Sequence, residues 1–194
     1  TTEIYTLSLH DALPILCFFG DGAFHQGALH ESFNLAKIWN LPIVYIVENN
    51  QWGMGTSWKK VSAQSDFVAT AAAYSMKGLV CDGMDVLNVR DVVGEAVEEA
   101  RKGNPVFVEA RTYRYKGHSM SDPQKYRSRD EVDEYRRRDP IVFFRSRMEE
   151  AGLIGEEDWE AIVQRTEGLV EEAVRFAETS PEPSLGELYA DILA

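Results

Sequence analysis

An uninterrupted apolar run, Ile15 to Phe19, leads into Gly20-Asp21-Gly22, and a second, Ile43 to Val47, leads into Asn49-Asn50. Between them Ala28 to Asn40 places apolar residues at three- and four-residue intervals. Short apolar runs bounded by turn residues read as buried strands, and the intervening spacing reads as an amphipathic helix. The pattern therefore predicts a strand-helix-strand unit whose parallel strands deliver both turns to one edge of a sheet.

The same reading continues downstream. A glycine-rich loop with Gly53 and Gly55 precedes a helix-like stretch from Ser65 to Tyr74 and a short strand around Leu79 to Cys81. Asp85 is placed to cap a helix carrying Val89, Val92, Val93, Ala96, Val97 and Ala100, which Gly103-Asn104-Pro105 ends. Pro105 to Tyr113 reads as another buried strand, giving at least three steps of a parallel sheet. Tyr115 to Arg129 is polar and aperiodic, a long loop leaving a strand end. Asp139-Pro140 starts a helix, Ile162, Leu169, Val170, Ala173, Val174 and Ala177 mark the stripe of a longer one, and Pro181 and Pro183 separate it from a last short helix, Leu185 to Leu193. The expected fold is α/β, a parallel sheet flanked by helices, with a C-terminal helical extension. The expected divisions are residues 1–14, 15–138 and 139–194, without internal repeats.

Composition narrows the classes. With 194 residues, 44% hydrophobic and 27% charged, the chain can bury a core. The longest apolar run, Ala12 to Phe19, is far too short to cross a bilayer, so no membrane association is expected. The net charge of −12 is concentrated late: from Glu149 onward 13 acidic residues face two basic ones. That distribution reads as a solvated helix face and argues against nucleic acid as a partner. By contrast, Arg111 to Arg138 holds nine basic and five acidic residues, a balance that suits either an anionic ligand or a solvated loop. Cys17 and Cys81 lie far apart in strand-like runs and read as buried free thiols of a reducing compartment. The chain begins at Thr1, and its first 14 residues contain no Lys or Arg, so no targeting peptide is evident and a fragment is expected.

Two turns at neighbouring strand ends offer a specific chemistry. Gly20 and Gly22 allow a sharp turn and close approach to a phosphate, and the following helix presents free N–H groups and the positive end of its dipole to an anion. Asp21 supplies a carboxylate and Asn50 an amide oxygen, which together suit a magnesium ion that keeps its remaining positions for phosphate oxygens and water. The competing reading is a pair of Asx/Gly turns, which are common at strand ends.

The segments GDGAFHQGALHESFNLAKIWNLPIVYIVENNQWGMGTS, CDGMDVLNVRD and EARTYRYKGHSMSDPQKYRSRDEV resemble the alpha subunit of the thiamine-diphosphate-dependent dehydrogenase component of 2-oxo acid dehydrogenase complexes, the pyruvate type above all. The similarity runs from about Ile15 to the C-terminus. It implies that Asp21 and Asn50 bind Mg²⁺ through their side chains and Trp52 through its backbone carbonyl, and that Gly22 and Ala23 contact the diphosphate beside Gly20. It further implies that His118 is an active-site loop histidine near the diphosphate, with a role in acyl transfer. His25 and His30 are expected to be structural or exposed. The implied activity is oxidative decarboxylation of a 2-oxo acid with acyl transfer to a lipoyl group, the cofactor carrying the chemistry and the protein its anchoring and electrostatics.

The implied partners are a beta subunit, in a heterotetramer, and the lipoyl acyltransferase component. Localisation would be cytoplasmic in a bacterium and the mitochondrial matrix in a eukaryote. Branched-chain 2-oxo acid and acetoin dehydrogenases are the alternatives within the family. Outside it stands a non-catalytic assembly fragment; a nicotinamide-binding domain is poorly supported because no G-x-G-x-x-G opens the first helix. Residues before Ile15 do not resemble the family, and the first half of the usual subunit is missing, so this polypeptide alone is expected to be inactive. An interrupted sheet should also expose strand edges and apolar surface.

Overall fold

The computed structural model describes residues 14–64 and 66–190. The expected divergent leader therefore falls almost wholly outside the described residues, as do Ser65 and the end of the last expected helix. In chain order the elements are β1 (Ile15–Gly20), α1 (Gly27–Ile38), β2 (Ile43–Asn49), a hairpin of β3 (Trp52–Gly53) and β4 (Thr56–Ser57), a 3-10 turn (Trp58–Lys60), α2 (Ala69–Ala72), β5 (Lys77–Asp82), α3 (Val86–Ala100), β6 (Val106–Arg111), α4 (Arg129–Arg136), α5 (Pro140–Glu150), α6 (Glu156–Thr179) and a 3-10 helix (Leu185–Tyr189). Contacts divide the chain into two compact units, Thr1–Phe144 and Arg145–Ala194.

The first unit is built on a parallel four-stranded sheet in the order β1-β2-β6-β5. Alternate residues of β2 supply two cores. Ile43, Tyr45 and Val47 pack with Leu29, Phe33 and Ala36 of α1 and with Phe67, Ala71 and Phe107, while Val44 and Ile46 join Val106, Val108, Cys81 and the α3 residues Ala96 and Ala100. Because both faces of β2 are covered, its sequence is a continuous apolar run rather than an alternating one. Phe33 and Phe107, with ring centroids 5.3 Å apart, are fully buried, and burial of such a ring contributes roughly 1.5–3 kcal/mol.

Backbone chemistry sets the helix boundaries. The α1 helix stops at Ile38, short of the expected Asn40, because Asn40 turns to φ +50° and the amide of Leu41 donates to the carbonyl of Ala36. Gly103, at φ +78°, ends α3 in the same way, with Asn104 donating to Glu99. At the other end of α3, the Asp85 carboxylate accepts from the amides of Leu87 and Asn88, the expected cap.

Several expectations change. The apolar run of β1 reads as buried, yet Ile15, Leu16 and Phe18 are 43–58% exposed, because β1 is an edge strand among the described residues and α3 packs chiefly over β5, β6 and β2. Cys17 is consequently half-buried, whereas Cys81 is buried as expected. The helix expected over Ser65 to Tyr74 is a single turn, Ala69–Ala72, closed by Ser75 at φ +54°. The loop expected from Tyr115 to Arg129 is present, but it is followed by an unexpected short helix, α4, which has no apolar repeat and buries only Val132.

In the second unit α6 has no buried residue, and Ile162, Leu169, Val170, Val174 and Phe176 are all at least half exposed. Arg145 ion-pairs with Glu149 at 2.7 Å and lies 4.7 Å from the Trp159 ring centroid. No described helix is long and apolar enough to cross a membrane.

Candidate functional site

The turn after β1 is tight. The amide of Ala23 donates to Gly20 at 3.0 Å and that of Phe24 to Asp21 at 3.3 Å, and the buried Phe24 ring stacks on Phe67 at 4.1 Å, which pins the turn to the core. Asp21 is 4% exposed. Burial pushes its carboxyl above the usual carboxylate range, and its own backbone N–H, the Arg114 guanidinium and the Gly22 N–H oppose that shift only in part. The α1 helix follows with no side-chain cap and no acidic residue in its first turn, so its first amides have no side-chain acceptor, that of Leu29 donating to the Gln26 carbonyl at 3.1 Å.

The exit of β2 meets this turn directly. Asn50 Oδ1 accepts from the Trp52 amide at 3.1 Å, and the chain then folds into the β3-β4 hairpin, an element without a signal in the periodicity because each strand has two residues. Gly22 and Gly53 face one another so closely that a Cβ built on either would stand 3.4–3.6 Å from the other's Cα. That contact draws together the Asp21-Gly22 turn and the segment holding Asn50 and Trp52, as the sequence spacing predicts. Trp52 itself is buried, its indole N–H donating to Glu131 at 3.2 Å and its ring lying 5.0 Å from that of Tyr126.

The loop leaving β6 closes over the hairpin through Arg114, which lies within the segment that carries the family resemblance but was not expected among the site residues. Its guanidinium donates to the carbonyls of Trp52 (3.3 Å) and Met54 (2.7 Å) and to the Tyr126 hydroxyl (2.8 Å). Tyr126 donates in turn to Asp122 at 2.6 Å, and Asp122 also accepts the amides of His118 and Gln124, each at 2.8 Å. These donors, Tyr126 first, hold the Asp122 carboxyl down at about 2. Arg127 braces the same loop by donating to the carbonyls of Arg114, Tyr115 and Lys116. The available signal for this arrangement was the excess of basic residues between Arg111 and Arg138.

The expected site residues thus divide into two groups. Gly20, Asp21, Gly22, Ala23, Asn50 and Trp52 form one locus, where the donors on offer are a carboxylate, an amide oxygen and a backbone carbonyl, all hard oxygens suited to Mg²⁺. No group of three or more His, Cys, Asp or Glu occurs among the described residues, and this donor set contains only one such residue. His118 stands apart: its backbone is anchored by Asp122, while its side chain is exposed and makes no hydrogen bond among the described residues. His25 is exposed and edge-on to Phe24 at 5.1 Å, and His30 shares a 2.9 Å hydrogen bond with Tyr74, both in keeping with structural roles. A cavity of about 530 Å³ opens against the loop beside Lys116, Arg127, Arg129 and Arg136, and neither Asp21 nor Asn50 lines it.

Comparison with known proteins agrees with the motif reading. The family model described as "Dehydrogenase E1 component" matches residues 11–185. The chain is 47% identical over 180 residues to the pyruvate dehydrogenase E1 component subunit alpha of Rhizobium meliloti, an alignment covering 92% of this chain and 52% of that protein. It is 45% identical over 176 residues to the subunit of the same name from Rickettsia conorii, covering 90% and 54%. Against the chloroplastic subunit alpha-3 of Oryza sativa it is 40% identical over 194 residues, covering 99% and 46%. The chain spans about half the length of the curated relatives it matches. With the family match extending over residues 11–185, the chain belongs to the dehydrogenase E1 component family.

Proposed function

We propose that the Gly20–Ala23 turn and the Asn50–Trp52 segment form the magnesium-and-diphosphate half-site of a pyruvate-type E1 alpha subunit that uses thiamine diphosphate. The observation that supports this most is the close approach of Gly22 to Gly53, which sets the turn of the buried Asp21 against the hairpin that follows Asn50. The residues fit the group: desolvation leaves Asp21 in need of a cation, and one buried carboxylate with two neutral oxygens leaves coordination positions for the diphosphate. When bound, thiamine diphosphate supplies the electron sink for decarboxylation of a 2-oxo acid, and Mg²⁺ offsets the diphosphate's charge.

The chain's own residues do the anchoring. Asp21 and the Asn50 amide oxygen hold the metal, the Trp52 carbonyl turns from Arg114 to complete the protein's share, and the backbone of Gly20, Gly22 and Ala23 with the first turn of α1 receives the phosphate oxygens. Arg114 holds the hairpin through the Met54 carbonyl and adds a positive charge near Asp21. His118, carried on the loop that Arg114 and Asp122 order, is the group for proton handling during transfer of the acyl product. Pyruvate as substrate follows the names of the relatives, and a beta subunit together with a lipoyl-bearing acyltransferase completes the proposed assembly.

Calorimetric titration of thiamine diphosphate, with and without Mg²⁺, tests this reading on the chain, on Asp21→Asn, and on a full-length subunit assembled with its beta partner. Magnesium-dependent binding weakened at least roughly tenfold by Asp21→Asn, about 1.4 kcal/mol, is expected. Absence of magnesium-dependent binding in the full assembly overturns it.

A further inference from the structure

Glu109 occupies an unusual place. It lies in β6, in the interior of the parallel sheet, and is 2% exposed, where a strand covered on both faces ordinarily carries apolar residues. A carboxylate there requires partners to offset its lost hydration. Two are present: the Asn49 side-chain N–H donates to Oε1 at 2.7 Å, and Arg111 donates to Oε2 at 3.1 Å. The β2-β6 register, with Asn49 opposite Arg111 and Val47 opposite Glu109, brings these groups together at the carboxyl ends of adjacent strands.

Asn49 is the residue before the proposed metal ligand and is 1% exposed. Its amide can face two ways, and Glu109 removes the ambiguity. A carboxylate only accepts, so the NH₂ must point into the sheet and Oδ1 must point out toward the loop. There Oδ1 accepts from both the backbone N–H and the side-chain amide of Gln51, each at 3.2 Å, and Gln51 Oε1 accepts from the Trp58 indole at 2.9 Å. Gln51 sits at φ +76°, a left-handed conformation that a residue with a Cβ adopts only when its surroundings impose it. Glu109, Asn49, Gln51 and Trp58 are therefore one chain of donors and acceptors running from the sheet interior to both sides of Asn50 and Trp52.

We infer that Glu109 is a positioning residue for the metal-ligand loop: by fixing the orientation of the Asn49 amide it holds Gln51 in its left-handed conformation and so sets where the Asn50 side chain and the Trp52 carbonyl stand. The consequence for cofactor affinity rests on the proposed half-site; the consequence for the loop itself does not. Neither Glu109 nor Asn49 needs to touch metal or diphosphate for this role.

The test uses Glu109→Ala, Glu109→Gln and Asn49→Asp, with two readouts on each: hydrogen exchange of the amides from Gln51 to Gly55, and magnesium-dependent thiamine diphosphate affinity. Glu109→Ala should accelerate loop exchange at least roughly tenfold while the amides of β2 and β6 stay protected, and weaken binding by about 10–100-fold. Glu109→Gln, which keeps an acceptor for Asn49, should restore both to within roughly threefold. Asn49→Asp sets two carboxylates against each other and removes the N–H that Glu109 accepts, so its loop should loosen at neutral pH. Should Glu109→Ala fail to fold, the Gln variant and the loop exchange of Asn49→Asp at neutral pH decide the question. Unchanged loop exchange in Asn49→Asp at neutral pH, or a Gln variant as loose as the Ala variant, overturns the inference. If the unmodified chain and its full assembly both fail to bind cofactor, the half-site reading falls, and hydrogen exchange alone then decides whether Glu109 positions the loop.

Discussion

Asp21 carries a conflict that its sequence context announces and its burial makes quantitative. Placed between two glycines at a strand end, it reads from the spacing to Asn49-Asn50 as a candidate phosphate-and-metal residue, with an ordinary Asx/Gly turn as the competing reading. What the spacing could not show is that the folded chain raises its pKa by desolvation. An acid whose folded pKa exceeds its unfolded value contributes stability in its protonated form, and that contribution is lost as the pH rises through the folded pKa. At neutral pH the ionised Asp21 therefore costs stability that a bound cation would return. Asp21→Asn should raise the melting temperature of the ligand-free chain at pH 7, by roughly 2–4 °C for each kcal/mol relieved, while weakening magnesium-dependent cofactor binding. Scanning calorimetry checks the first half, and a lowered melting temperature would contradict it. The pH profile of cofactor binding should likewise fall off on the acid side above the ordinary aspartate value of about 3.9, because metal binding requires the ionised form. Arg114 was not legible in the same way. Its partners are carbonyls 60 and 62 residues away, and nothing about an arginine after a strand specifies which loop will fold under it.

The loop from Thr112 to Ser128 shows the same division at the level of an element. Its existence follows from its lack of periodicity, but its order comes from Asp122, which gathers the amides of His118 and Gln124 and the Tyr126 hydroxyl. Gly117 is part of that arrangement: a Cβ there would stand 2.9 Å from the Asp122 Cβ and 3.0 Å from its carboxylate. Gly117→Ala should therefore displace Asp122, free the His118 segment and increase tryptic cleavage at Lys116 and Lys125 by an order of magnitude or more, with the sheet intact. Equal cleavage rates in mutant and parent would show that the loop is held elsewhere. The Asp122 carboxyl, held at about 2, has a depressed folded pKa, so its contribution is present above the unfolded value near 3.9 and is lost as the pH falls toward 2. Helices follow a similar rule. The α3 and α6 helices were legible because they carry apolar stripes, whereas α4, with Val132 as its only buried residue, depends on the Ser128 cap and on aromatic contacts from Trp52 of the hairpin and from Tyr113, Tyr115 and Tyr126 of the preceding loop.

Across the molecule, apolar surface is left bare in each unit described by itself: Ile15, Leu16 and Phe18 on the edge strand β1, and the long stripe of α6. An edge strand, as β1 is among the described residues, with exposed apolar side chains is a template for association. The chain should self-associate at micromolar concentration in sedimentation experiments, and Phe18→Lys should shift it toward monomer; association that is insensitive to this change would assign it to another surface. Periodicity, turn chemistry and the pairing of Gly-Asp-Gly with Asn-Asn were enough for the α/β class, the first strand-helix-strand unit and the delivery of Asp21 and Asn50 to one edge of the sheet. Each of these depends on neighbours close in the chain, whose spacing repeats at 2 or 3.6 residues whatever the rest of the fold does. The bare edge at β1, the contact of Gly22 with Gly53, the Arg114 clamp and the buried Glu109 beneath Asn49 depend on strand order and register. Those bring together groups tens of residues apart, and no local pattern encodes the choice of partner.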